Sequence, residues 1–495
     1  MYRLIRIMAV VAGLCLFAPI HPVAAADLPR FTGAQLHADA AILRRAYETL
    51  HPGLHRYATE AQWNHTYEDL LHATATGGTL ASAYASFSRF LGTIECGHTY
   101  ANPLNQTAEV AAALYAAPRR IPFWFRWVGE RMIVTRGFGN RLRPGTEILA
   151  LDGHAAGDVL RALLPFARAD GSNDAKRRSN VSVNGTDADE PFDIFYPLVF
   201  EALGETVDLR IREATGVATT DVRIPTLTRE ARNAPIAARL AAAHGDVPLW
   251  TFATLDANTG LLVMPTFATF NSTWDYKAFL ETVFAQLNRD HIGKFIIDVR
   301  GNEGGTDVGG IVASHLIARE LPMDRIERRV SYRRVPDDLT PYLATWDRSF
   351  RDWGAAAVAR NDGMFRLTRP GESPPGAHLL PRPPMYRGRV AVLVDSANSS
   401  ATFQFAQLMQ SKHLATLVGE PTGGNQRGIN GGAFFFLTLP QTKIEFDLPL
   451  IGTYPTKAAP DAGIVPDLFV APKPADIDAG YDSALEAARA LLADH

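Results

Sequence analysis

Apolar residues recur every three to four positions from 32 to about 92, as at Leu43, Ala46 and Leu50 and again at Leu80, Tyr84, Phe87 and Leu91. That spacing lines one face of a helix, so the first part of the chain is expected to be helical. Between 121 and 163 the pattern changes. Aromatic and β-branched residues at 122–127 and 131–135 predict two strands, and Pro144-Gly145 turns the chain into a third at 147–151. Residues 164–203 are polar and aromatic, with a loop at 170–174 and a helix predicted near 192–203; alternation returns at 206–212, as in a strand.

From 259 onward strand and helix patterns alternate. Strands are predicted at 261–265, 294–299, 389–394 and 416–419, and helices at 274–287, at 308–318 and from about Ser400. This repetition implies an α/β core, a mixed or parallel sheet covered by helices, with candidate sites in the loops at the carboxyl ends of its strands. Residues 320–388 hold many Pro and Arg and are expected to be a long excursion from that core. The pattern divides the chain into a helical region at 27–118, a strand-rich unit with an insertion at 119–240, the core at 241–475 and a C-terminal helix at 476–495.

Residues 1–26 stand apart. Arg3 and Arg6 precede a short apolar stretch from Ile7 to Ile20, and Pro22-Val-Ala-Ala-Ala26 follows. A charged start, a short apolar run and small residues before Asp27 predict a secretory signal peptide, hence a periplasmic or secreted protein. No later apolar run approaches the roughly 20 residues that span a bilayer, so no transmembrane segment is expected after cleavage. Cys15 falls in the leader, which leaves Cys96 as the one thiol of the mature chain and excludes an intramolecular disulfide. With a formal charge of −3 and no block of like charge, nothing suits a nucleic-acid backbone.

Two loops could carry chemistry. In Ser396-Ala-Asn-Ser-Ser-Ala-Thr402 an apolar strand gives way to small polar residues and then an amphipathic helix. A serine there sits where free N–H groups and the helix dipole favour a developing negative charge, although capping by Asn398 or Ser399 would explain the same residues. In Asp298-Val-Arg-Gly-Asn-Glu-Gly-Gly-Thr306 paired glycines let backbone amides approach a ligand, and they also suit a tight turn. No cluster has metal-ligand spacing and the glycine loop lacks the Gly-Lys-Ser/Thr ending of a phosphate loop, so neither metal nor other cofactor is expected.

Taken together, Lys294-Phe-Ile-Ile-Asp-Val-Arg-Gly-Asn-Glu-Gly-Gly305, Val392-Leu-Val-Asp-Ser-Ala-Asn-Ser-Ser-Ala-Thr402, Leu417-Val-Gly-Glu-Pro-Thr-Gly-Gly424 and Gly463-Ile-Val-Pro-Asp467 resemble, in order, the core of the tail-specific (C-terminal processing) and tricorn-like serine peptidases. The resemblance covers about 259–470. It implies a mixed β-α-β peptidase core of crotonase/ClpP-like type, a PDZ-like unit within 119–240, and a polypeptide substrate whose C-terminus the PDZ-like unit recruits by strand addition. It assigns the nucleophile to Ser400, rather than Ser396 or Ser399, and an oxyanion hole to the amides of Ala401 and of Gly304 or Gly305.

The chain departs from the lysine-dependent branch, since Asn425 stands where that branch has its general base. The Gly97-His98 pair resembles the upstream element of tricorn-like members, and the resemblance assigns His98 as base. A third residue would orient the imidazole. Asp461 lies near the family's acidic position, with Glu95 and Glu445 as local alternatives. Cys96, two residues from His98, is a weaker candidate nucleophile. The same architecture is compatible with a catalytically inactive protein that binds peptides or apolar ligands, and with an esterase.

Overall fold

The computed structural model describes residues 28–493 apart from 116, 140, 243–244, 325 and 369–377. The leader-like residues lie outside this range, and no described helix is long and apolar enough to cross a membrane.

Helices Gly33–Leu50, Glu60–Thr74 and Leu80–Gly92 form the start of the described chain. Thr32 with Gln35, and Thr59 with Gln62, make reciprocal capping boxes that satisfy the free N–H groups of the first two. Leu43, Ala46 and Leu50 are buried, as are Leu80, Tyr84, Phe87 and Leu91, so the helical periodicity marks the packed face.

Strands Phe123–Val128, Arg131–Gly137, Glu147–Leu151, Thr206–Arg212 and Thr219–Pro225 pair antiparallel in that order. Helix Ala156–Leu163 leaves this sheet and Thr206–Arg212 returns to it. The segment between them, which contains helices Asp174–Asn180 and Pro191–Val199, reaches back to the edge strand through Phe125 and Val183. Their backbone groups exchange hydrogen bonds of 2.9 and 3.1 Å.

The core sheet has the order Thr251–Asp256, Thr259–Val263, Lys294–Asp298, Arg389–Val394, Thr416–Gly419, Leu468–Phe469, all parallel except the first strand. Alternate side chains point to opposite faces. Phe295, Ile297, Val392 and Leu417 pack with helices Tyr276–Arg289, Gly309–Leu316 and Ser400–Ser411, whereas Ile296, Ala391 and Val418 meet helix Ser483–Ala493. Lys294–Asp298 and Arg389–Val394 are direct neighbours in parallel register. Their loops, the glycine loop and the Ser400 turn, therefore leave the same edge side by side.

A third sheet was not legible in the pattern. The long strands Asn430–Thr438 and Glu445–Pro455 pair with each other, the first also with Leu343–Ala344 and the second with Ile326–Val330, beyond which Phe365–Leu367 and Ala357–Ala359 continue the sheet. Residues 320–388 thus contribute strands to a layer of their own, and their partners lie far away in sequence. That sheet packs its buried Phe435, Phe446 and Leu448 against the first helices in one apolar cluster with Tyr47 and Phe87. Its strand Asn430–Thr438 runs past His98.

Candidate active site

The turn before helix Ser400–Ser411 does not use its small polar residues as caps. Ser399 occupies the N-cap position with no side-chain cap bond; its Oγ donates instead to the Glu303 carbonyl at 3.1 Å. Asn398 is buried, accepts from Asp395 N at 2.8 Å and donates to the carbonyls of Val299 and Asn302 at 2.5 and 3.1 Å. These residues fasten the serine turn to the glycine loop. Ser400 itself opens the helix with φ +51°, a left-handed conformation that a residue with a Cβ adopts at a cost and that clusters at functional sites.

The glycine loop approaches so closely that a Cβ on Gly304 would lie 2.6 Å from Ser400 Cβ and 3.0 Å from Ala401 N. Gly304 and Gly305 have φ of +107° and +135°, which only glycine tolerates easily. Buried Asn302 organises this loop, accepting from Gly304 N at 2.9 Å and from Thr402 Oγ1 at 2.7 Å. Of the two glycine amides raised by the sequence, that of Gly304 is therefore committed to Asn302. The N–H groups of Gly305 and Ala401 have no acceptor among the described residues and are the better candidates for an oxyanion.

His98 lies on the turn that follows helix Leu80–Gly92, and its Nε2 is 3.1 Å from Ser400 Oγ across 302 residues of chain. Its ring centroid is 5.9 Å from that of Phe434, and the space a Cβ on Gly431 would fill lies 3.7 Å from the imidazole. Burial pushes the His98 pKa below its usual value, Asp170 opposes that shift, and Arg168 and Lys176 reinforce it. A neutral imidazole in contact with a serine hydroxyl at a helix N-terminus can accept a proton as the oxygen attacks an electrophile.

Other sequence candidates are placed elsewhere. Asp461 accepts from Ser172 N at 3.0 Å, Ser172 Oγ at 3.1 Å and Asn425 Nδ2 at 2.6 Å, and forms no hydrogen bond with His98. Glu95 pairs with Arg177 at 3.2 Å, and Glu445 accepts from Thr438 Oγ1 at 3.1 Å. Cys96 is buried and accepts from Asn430 Nδ2 at 3.3 Å; burial, aided by Asp170, pushes its thiol up to about 11, far from a ready thiolate. No group of three or more His, Cys, Asp or Glu side chains suited to a metal occurs among the described residues.

The sequence did not single out three charges beside the serine. Lys176, with a side chain 2% exposed, donates to Glu303 Oε1 at 2.6 Å and to the Ala397 carbonyl at 3.0 Å. Arg168 donates to Glu303 Oε2 at 2.8 Å and to the Gly97 carbonyl at 3.2 Å. The inserted segment thereby grips the glycine loop, the serine turn and the histidine turn together. Burial would raise the Glu303 pKa, but the two cations outweigh it and hold the carboxyl at about 2. This group contributes stability above its usual 4.5 that is lost as pH falls toward about 2. Glu303→Ala leaves Lys176 buried without its counter-ion, and unfolding in urea should show a loss of about 2 kcal/mol. That is less than the roughly 3–5 kcal/mol of a fully buried pair, because Glu303 is half-exposed. Lys176→Met in the same chain should recover part of it.

Residues 258–433 match the model of peptidase family S41. This core belongs to peptidase family S41. The chain is accordingly a serine-type peptidase, a hydrolase. No curated protein matches the sequence. Among solved structures, the chain is similar to mature CPAF complexed with lactacystin, at 15% identity and a TM-score of 0.63 over 93% of this chain and 98% of that one. Mature CPAF is matched at 16% identity and 0.59, over 93% and 96%. A photosystem II D1 C-terminal processing protease is matched at 12% identity and 0.41, over 88% and 93%. At these identities the two CPAF structures show a shared fold across nearly the whole length of this chain, including the layers outside the matched core.

Proposed function

We propose that the protein is an exported serine endopeptidase in which Ser400 attacks the peptide carbonyl and His98 takes its proton. The Ser400 Oγ to His98 Nε2 contact of 3.1 Å carries this reading. The amides of Ala401 and Gly305 stabilise the oxyanion, His98 returns the proton to the leaving amine, and water then releases the acyl group by the same route. Export rests on the leader-like composition of residues 1–26.

The substrate is a polypeptide. Phe434, whose ring neighbours that of His98, also meets Trp346, which is 61% exposed and has its ring centroid 6.0 and 5.9 Å from those of Phe434 and Phe436. This surface suits an apolar substrate side chain. Trp346→Ala should raise KM for an apolar peptide several-fold with little change in kcat, a split read directly from steady-state kinetics. If the PDZ-like sheet recruits chain ends by strand addition, the Thr219–Pro225 edge is the one to use, because Val183 already pairs with the opposite edge at Phe125.

Hydrolysis of a fluorogenic peptide by the wild-type protein, absent in Ser400→Ala, tests the assignment. Cleavage of small esters without any peptide cleavage would replace the peptidase reading by the esterase one.

A further inference from the structure

Two buried polar atoms at the histidine turn have no partner. One is His98 Nδ1; the other is Asp170 Oδ2. Asp170 is 1% exposed, and its other oxygen accepts from Gly97 N, the residue before His98, at 2.9 Å. Among the described residues, Asp170 Oδ2 is the only buried carboxylate oxygen left without a hydrogen bond. Such groups call for an explanation, and here the two are complementary. For Nε2 to accept the serine proton, the ring proton must sit on Nδ1, which makes that atom a donor. The carboxylate oxygen is an acceptor.

We infer that Asp170 is the positioning carboxylate of the histidine: its Oδ2 accepts the Nδ1 proton, holds the imidazole in the tautomer that faces Ser400, and balances the imidazolium formed as Ser400 is deprotonated. The inference rests on the Ser400–His98 reading. The Nδ1 proton stays on the ring throughout; the serine proton alone moves, to Nε2 and then to the leaving group.

Glycine at 97 is what admits the carboxylate. A Cβ there would stand 2.9 Å from Asp170 Oδ2. The loop carrying Asp170 is fastened behind it. Asn425 Nδ2 donates to the Asp170 carbonyl at 3.1 Å and to Asp461 Oδ1 at 2.6 Å, while Asp461 holds Ser172. Gly171 N donates to the Glu95 carbonyl at 2.9 Å. Asp461 and Asn425 thus act on the loop, and reach the imidazole only through Asp170. The other nearby carboxylates are engaged, Glu303 by Lys176 and Arg168, Glu95 by Arg177, and Asp447 by Asn102 and Asn105.

The test uses the full chain, measuring fluorophosphonate labelling of Ser400 and peptide hydrolysis against pH. In Asp170→Asn the Gly97 N–H keeps the amide oxygen, which turns the NH2 toward Nδ1 and traps the ring proton on Nε2. kcat should fall about a thousand-fold or more with KM nearly unchanged. Asp170→Ala, which leaves the tautomer free, should fall less. The charges facing His98 are Asp170 and Glu303, which favour its protonation, and Arg168 and Lys176, which oppose it. Removing Asp170 therefore moves the acid limb of the profile to lower pH, which a merely loosened loop would not do. Gly97→Ala, which displaces the carboxylate without deleting it, should move the limb the same way, so the test stands even if the Asp170 variants fail to fold. If Ser400 labels and needs His98, but folded Asp170→Asn or Gly97→Ala keeps the wild-type rate and limb, Asp170 is overturned and the Ser400–His98 reading survives. Wild-type protein that does not label at Ser400 overturns both.

Discussion

Ser400→Ala is expected to lower peptide hydrolysis by about a million-fold, the loss typical when the nucleophile of a Ser-His site is removed, with no loss of fold. The hydroxyl makes its hydrogen bond to His98 alone, so its deletion leaves no structural partner unpaired apart from the imidazole. Replacement by glycine separates two roles of the position. A residue with a Cβ at φ +51° stores strain, roughly 1–2 kcal/mol, and glycine relieves it while adding freedom to the unfolded chain. Ser400→Gly should therefore be as inactive as Ser400→Ala yet more stable by about 0.5 kcal/mol in a thermal melt. Equal or lower stability would mean that the turn, held by Asn398 and Ser399, does not strain the serine.

His98→Ala is the second large effect, a fall of about ten-thousand-fold or more in kcat with the protein still folded. Its pH signature is specific. Because burial pushes the imidazole below its usual pKa, outweighing Asp170, the base is still deprotonated somewhat below the usual 6.5. Activity of the wild type should hold as pH falls past that value and then drop as His98 protonates. A limb above 6.5 would mean that the carboxylates dominate the field at the ring. Stability follows the same direction: the unfolded chain binds the proton at the usual pKa before the folded one does, so this residue costs stability as pH drops below about 6.5.

How much of this was legible in the sequence depends on whether the signal was local. Strands Glu147–Leu151, Thr206–Arg212, Arg389–Val394 and Thr416–Gly419 fall where the pattern puts them, because Thr206–Arg212 alternates apolar and polar residues and the other three carry short apolar runs. Gly305 lies in the loop that follows one such strand, Ser400 and Ala401 open the helix that follows another, and their motifs are contiguous. The hairpin Asn430–Pro455 was missed although Ala433, Phe435 and Leu437 are buried in alternation. Its glycines and its partners, the distant strands Leu343–Ala344 and Ile326–Val330 upstream, disguised it. Lys176, Glu303 and Arg168 look like ordinary surface charges in one dimension, and only the inserted segment's return to the core brings them together. Asp461 illustrates the opposite error: proximity to a motif suggested a contact with His98, whereas the fold spends it on Ser172 and Asn425.

In the proposed mechanism Ser400 is a nucleophile activated by His98. Reaction of the wild type, Ser400→Ala and His98→Ala with a fluorophosphonate, followed by intact mass and peptide mapping, tests it most directly. One equivalent of label on the wild type, mapped to Ser400 and lost in both folded variants, is the predicted result. No label on the folded wild type, or a label that maps to another residue and persists in Ser400→Ala, would contradict it.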